Sequence, residues 1–123
     1  MNVEKLNESI EVLKKDLGEG LVSTDIWSVD TSLPIASYNS KPESCAVKNK
    51  ITDTMYDSFK NINHPGIGRY YILDYADLTM EIVIPLGKYQ WGIQVNPAKV
   101  ALGLLLNIVV PRVIDSFEQA MVE

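Results

Sequence analysis

The chain has 123 residues, 46% of them hydrophobic and 22% charged, with a net charge of −5, one cysteine and one histidine. That length suits one compact domain that buries roughly two thirds of its unfolded surface, and leaves little room for a second core. One cysteine excludes an internal disulfide, and with one histidine it cannot complete a structural zinc site. An acidic balance also argues against nucleic acid, which requires a lysine- or arginine-rich face.

Residues 3–17 carry Val3, Leu6, Ile10, Leu13 and Leu17 three and four apart, with Glu4, Glu8, Glu11 and Lys15 between them. This predicts an amphipathic first helix, ended by cationic Lys14 and Lys15 and capped by Gly18. Leu21–Asp30 and Leu33–Tyr38 predict a β-hairpin around Thr31-Ser32, with Pro34 placing the second strand at a sheet edge. Ser40, Pro42 and Glu43 form a helix-start signature, and Val47, Ile51, Met55, Phe59 and Ile62 follow at near-helical spacing. A second helix is therefore expected over 41–61, ended by Asn63-His64-Pro65-Gly66.

Three strands follow. Arg69–Tyr75 is rich in tyrosine and β-branched residues. Leu78–Leu86 alternates, with Leu78, Met80, Ile82, Ile84 and Leu86 on one face and Thr79, Glu81 and Val83 on the other. In Tyr89–Asn96, Tyr89, Trp91, Ile93 and Val95 oppose Gln90, Gly92 and Gln94. The links between them fit only an antiparallel meander. Asn96-Pro97 predicts the start of a last helix reaching Met121, with a kink at Pro111.

The expected fold is a single α+β domain over residues 1–123. Its order is helix-strand-strand-helix-strand-strand-strand-helix. Helices one and three cover one face of a five-stranded antiparallel sheet and helix two the other, a profilin-like sandwich. Residues 1–30 carry a net charge of −4 and 100–123 a net −2, whereas 41–60 carry +1. The acidic solvated face thus belongs to helices one and three. No secretory leader is recognisable, and the apolar run Val100–Val110 falls short of the about 20 residues of a membrane span. A cytoplasmic protein with no membrane insertion is expected.

Catalytic patterns are missing. Gly66-Ile67-Gly68-Arg69 has neither the length nor the lysine of a phosphate loop and reads as a turn. His64, in a Pro-Gly turn, lacks a pocket in which to serve a nucleophile. Cys45 reads as a small half-buried side chain, although a helix start can activate a thiol. Asp25, Asp30, Asp74 and Asp77 lie in or near strands without a spacing that forces metal geometry. No catalytic residue, cofactor or metal is assigned. Association is better supported. Tyr70, Tyr71 and Tyr75 share one strand, a candidate sheet edge, and Met55, Tyr56 and Phe59 are anchors of the interface type.

The element order, with Ser28-Val29-Asp30 leading into Leu33-Pro34-Ile35-Ala36-Ser37 and with Ala101-Leu102-Gly103-Leu104, resembles the roadblock family of dynein light chains and its bacterial and archaeal relatives. The resemblance implies a homodimer, or a pair with a related roadblock-like chain. In it helix two packs on its mate and strand three pairs across the two-fold axis. The implied interface residues are Val47, Ile51, Met55, Phe59, Arg69, Tyr70, Ile72 and Asp74, with Lys48, Thr52 and Tyr56 as a face for a further partner. It also implies a non-catalytic module that scaffolds or regulates a small Ras-like GTPase. The alternative is a sensory domain binding a metabolite between sheet and helix, with Trp27 and Trp91 lining the pocket.

Overall fold

The computed structural model describes residues 1–122. Helix α1 (Val3–Leu17) starts where the Asn2 side chain accepts from Lys5 N, and ends at Gly18, whose N–H bonds Lys14 O. Strand β1 (Leu21–Ser28) and strand β2 (Pro34–Tyr38) form the hairpin. Both strands stop short of the expected Thr31-Ser32 turn. Ser32 adopts a left-handed φ of 61°, and Ser32 N bonds back to Ser28 O, so the loop is wider. Helix α2 (Pro42–Asn61) and strands β3 (Tyr71–Asp74), β4 (Met80–Leu86) and β5 (Tyr89–Val95) follow.

The sheet is five-stranded, in the order β2-β1-β5-β4-β3, and each adjacent pair is antiparallel. Strands β2 and β3 are its edges, as Pro34 and the tyrosine-rich segment predict. Period-two alternation then assigns the faces. Ile26, Ile82, Ile84, Trp91, Ile93 and Val95 form one core with Leu6, Ile10 and Leu13 of α1 and Val113 and Phe117 of the C-terminal helix. Leu78 does not join that face as expected. It lies in the β3–β4 turn at φ 71° and is 81% exposed. The backbone leaves strand geometry there because Asp77 Oδ1 accepts from both Thr79 N and Thr79 Oγ1, closing a local turn.

The last helix also starts later than Asn96-Pro97 suggests. Asn96 instead closes a turn, accepting Ala98 N on its side chain and Lys99 N on its carbonyl. The helix begins as α3 (Leu102–Leu104), at the Ala101-Leu102-Gly103-Leu104 motif, and passes through a π-helical segment, Leu105–Val109, into α4 (Val110–Met121). Pro111 explains the π segment. It has no N–H to donate, and just before it Val110 N reaches Leu105 O, five residues back.

Helix α2 lies on the opposite face, where only Trp27, Cys45 and Val83 form a small apolar cluster. The rest of that face is polar. Neighbouring rows across β1, β5 and β4 present Ser23, Gln94 and Glu81, then Asp25, Gly92 and Val83. Gly92 is the low point on which α2 settles. A Cβ there would lie 2.6 Å from Glu81 Oε2, 3.0 Å from Trp27 Cζ3 and 3.1 Å from Lys48 Nζ. Gly92→Ala is expected to destabilise the fold by about 1–3 kcal/mol through overpacking. Urea denaturation of the two proteins measures it; equal midpoints and slopes would contradict the close approach.

Candidate functional site

The outward surface of α2 and the free edge of β3 form the candidate site, and both depend on how α2 is seated. Its inward residues are Cys45, Lys48, Asn49 and Thr52, all buried. Lys48 Nζ pairs with Glu81 Oε2, with both side chains almost inaccessible, and lies 4.9 Å from the centre of the Trp27 ring. The other Glu81 oxygen accepts from Tyr75 OH at 2.7 Å. Asn49 Oδ1 accepts from Trp27 Nε1 at 2.8 Å, while its amide nitrogen donates to Val29 O and Ser32 Oγ. Thr52 Oγ1 donates to Gln90 Oε1 at 3.0 Å and lies 2.6 Å from Tyr71 OH. No described buried side-chain nitrogen or oxygen lacks a partner.

The start of α2 is capped from across the sheet. Ser40 is expected to cap the helix, yet its hydroxyl donates to Asp25 Oδ1 at 2.6 Å, and Asp25 Oδ2 accepts Lys41 N at 2.9 Å. Asp25 thus brings a carboxylate to the helix N-terminus, where the dipole favours it. Cys45 lies beside the same carboxylate. Burial, aided by Asp25, pushes its thiol up to about 12, so it stays protonated and unreactive near neutrality. Burial, and then the bond to Glu81, likewise raises the Tyr75 hydroxyl above its ordinary range.

With polar residues inward, the apolar stripe faces out. Val47 is 58% exposed, and Ile51, Met55 and Phe59 are half-buried. Ala46, Val47, Lys50, Ile51, Thr54 and Met55 line an open apolar groove of about 490 Å³. Farther along, Phe59 stacks on the exposed His64 ring at 4.8 Å. Strand β3 runs beside α2, tied to it by Tyr71 and Thr52, and exposes Ile72 (37%) and Asp74. Arg69 and Tyr70 precede the strand; Arg69 is exposed, and Tyr70 packs partly against the main core. The structure therefore sets the apolar stripe of α2 beside the free backbone edge of β3, whose Ile72 and Asp74, paired with Ile82 and Met80, lie on the α1–α4 side of the sheet.

Two of the residues expected on a further partner face are elsewhere. Lys48 and Thr52 are 3% and 1% exposed, because the sheet beneath α2 supplies Glu81 and Gln90 to receive them. Only Tyr56 of that set is exposed, at 40%. Trp27 and Trp91 cannot line a common pocket, since both are fully buried on opposite faces of the sheet. The residue that sequence reading misses is Glu81. Its signal is present: on β4 and β5 the positions opposite the apolar face include Glu81, Gln90, Gly92 and Gln94, a polar bed for a helix. Among the described residues no three His, Cys, Asp or Glu side chains converge to hold a metal ion. No described helix is long and apolar enough to cross a membrane.

Two measurements test the seat of α2. Lys48→Met leaves the Glu81 carboxylate buried without its partner and is expected to cost about 3–5 kcal/mol, and Lys48→Met with Glu81→Gln to regain a large part of that. Urea unfolding of the single and double variants decides, and a double variant as unstable as the sum of both singles contradicts the pairing. Cys45 is expected to resist a thiol reagent at pH 8 in the native protein and to react at once in denaturant. Because its folded pKa is raised, its contribution to stability is complete below the unfolded thiol pKa. That contribution declines as pH climbs from there towards 12.

No family model and no curated protein matches the sequence. Solved structures do. Myxococcus xanthus MglB superposes with a TM-score of 0.73 at 12% identity, over 96% of this chain and 91% of that one. A roadblock/LC7 domain from Streptomyces avermitilis gives 0.68 at 14% identity, over 95% and 98%. The gliding protein MglB from Thermus thermophilus gives 0.71 at 10% identity, over 94% and 90%. The likeness spans nearly the full length of each chain: this chain has the roadblock/LC7 fold.

Proposed function

We propose that this chain is a non-catalytic interaction module that pairs with a second copy of itself, or with a related roadblock-like chain, and scaffolds or regulates a small Ras-like GTPase. The observation that carries the pairing is the inverted amphipathicity of α2. A helix with Lys48, Asn49 and Thr52 buried, Val47 exposed and Ile51, Met55 and Phe59 only half-buried gains the full burial of its apolar side only when another surface covers it. The helix is 20 residues long, about 30 Å of rod. With the β3 edge beside it, that is enough for the about 800 Å² per partner of a stable interface. In such a pair Val47, Ile51, Met55 and Phe59 pack helix on helix, while Ile72 and Asp74 lie in strands joined edge to edge. Arg69 and Tyr70 flank the joint.

The GTPase half of the reading rests on likeness to the roadblock relatives, with MglB among the structures that superpose. One structure of MglB is described as a tetrameric arrangement, which accords with self-association in that protein. Two surfaces left free by pairing, Tyr56 on the α2 side and the acidic helices α1 and α4 on the other side of the sheet, remain available for the GTPase.

Light scattering on the purified protein is expected to give the mass of a dimer at micromolar concentration. Val47→Asp and Ile72→Asp place charges where a dimer would desolvate them, and each is expected to weaken pairing at least tenfold with the fold intact by circular dichroism. Unchanged mass for both variants moves the interface elsewhere. Capture of a candidate Ras-like GTPase by the wild-type dimer is expected to differ between its GDP-bound and GTP-analogue-bound forms. Equal capture, or none, across candidates removes the GTPase assignment while leaving the dimer standing.

A further inference from the structure

A cleft of about 540 Å³ opens between the N-terminal half of α2 and the turn that joins β3 to β4. Its lining falls into three parts of different chemistry. One wall is apolar, formed by Val47, Ile51, Leu73 and Ala76. The floor holds Lys48, Glu81 and Gln94, all nine-tenths or more buried, with Tyr75 at the side and Lys41 above Gln94. The rim carries the exposed carboxylates of Glu43 and Asp77.

The hydrogen-bond balance of the floor is unequal. Both Glu81 oxygens already accept, one from Lys48 and one from Tyr75. The Gln94 carbonyl accepts from Ser23 and from Lys41 Nζ at 2.8 Å. The donors are less fully used. Lys41 and Lys48 each direct one N–H of three to a side-chain acceptor, and the Gln94 amide directs one of two to Thr79 Oγ1. The floor therefore leaves more donors than acceptors open, with two ammonium groups set against the single Glu81 carboxylate, which suits an incoming carboxylate. The rim has the opposite character: its exposed carboxylates are Glu43 and Asp77, the latter accepting from Thr79 in its own turn and lying within the field of Lys41. A free anion would meet those two carboxylates on entry, and a free cation would meet the ammonium groups of Lys41 and Lys48. A molecule carrying both charges, with an apolar arm for the third wall, meets neither obstacle.

We propose that this cleft binds a small zwitterion with an apolar side chain, of the α-amino acid class, with its carboxylate towards Lys41 and Lys48 and its ammonium at Glu43 and Asp77. The apolar arm lies along Val47, Ile51 and Leu73. The site is built by one copy of the chain and does not depend on the pairing or on the GTPase. Because Val47 and Ile51 belong both to the cleft and to the outward stripe of α2, an occupant touches the helix that the pairing would use.

The test uses L-norvaline with its two halves, pentanoate and butylamine, titrated into the ¹⁵N-labelled full chain. Saturable shifts are expected with norvaline at Val47, Lys48, Leu73 and Tyr75, and binding by either half at least about tenfold weaker. Lys41→Ala keeps the backbone N–H that caps onto Asp25 and removes the ammonium. It is expected to weaken norvaline about tenfold, with thermal stability and mass unchanged, while Lys60→Ala, at the far end of α2, has no effect. Absence of saturable shifts up to millimolar norvaline overturns the proposal. So does pentanoate or butylamine binding as tightly as norvaline, and so does an unaltered affinity in Lys41→Ala.

Discussion

The buried pair of Lys48 and Glu81 above Gly92 is the constraint from which the α2 side of the molecule follows. A lysine ammonium can lie against the sheet only where the strand offers a counter-charge and no side chain in the way. Glu81 and Gly92, diagonal neighbours on β4 and β5, meet both conditions. Once that pair is fixed, the rotation of α2 about its axis is fixed with it. Asn49 must meet the Trp27 indole and Thr52 must meet Gln90 and Tyr71, one turn at a time. The same rotation turns Val47, Ile51 and Met55 away from the sheet. Pairs of this kind contribute little net stability, since desolvation offsets most of their attraction. Their value here is orientation: an apolar seat would accept several rotations of α2, whereas a polar seat with every partner satisfied accepts one.

The two faces of the sheet therefore divide the work. Against α1 and α4 the contact is large and apolar, with Leu6, Leu13, Ile82, Ile84, Trp91 and Phe117 buried together, and this is where the hydrophobic driving force of folding resides. Against α2 the apolar contact is confined to Trp27, Cys45 and Val83, with Tyr71 and Leu73 at the margin. Segments that bury little apolar surface sit at the low-stability end of a native structure, and α2 meets that description more closely than α1 or α4. Cover on its outer face would add the apolar burial that its inner face lacks. Association through that face would therefore raise the local stability of α2.

How much of this is legible in the sequence depends on which periodicity carries the signal. The alternation in β4 and β5 is clean, and it assigns the inward and outward residues of both strands correctly because each is flanked by neighbours. Edge strands are legible from Pro34 and from the order of elements. The α2 face is not, because a 3.6-residue repeat identifies stripes but not which stripe is buried. The resemblance puts the apolar stripe at an interface and Lys48 and Thr52 on a further exposed face, since a lysine in a helix is ordinarily solvated, whereas both are buried against the sheet. Only a joint reading of α2 with Glu81, Gln90, Gly92 and Gln94 resolves the matter, because the polar strand positions must find partners when a helix covers them. The misplaced start of the last helix has a similar origin. Asn-Pro is a valid cap signal, but the same asparagine can close a tight turn, and only the packing of Leu105 and Val109 against α1 and the sheet decides where the helix begins.

Backbone departures lie where one strong local preference meets another. Pro111 sits in the middle of an apolar helix that the core cannot release, because Val110, Val113 and Phe117 on its two sides, with Leu105 and Val109 before it, are all buried. A straight α-helix would leave the missing hydrogen bond and the ring clash in that stretch, and a break would strand half of the buried face. Widening one turn to a π bond, Val110 to Leu105, keeps both halves on the sheet. Between residues 102 and 110 the sequence is apolar at every position but Gly103 and Asn107, so the helix there is apolar nearly all the way round. Leu105 and Val109 are held in the core, while Leu104 and Ile108 remain about half exposed. That exposure follows from an apolar run too dense for one buried face, which separates it from the exposure of Val47. On α2 no proline interrupts the buried stretch and no turn is widened; its apolar side faces out because polar groups occupy the inner one.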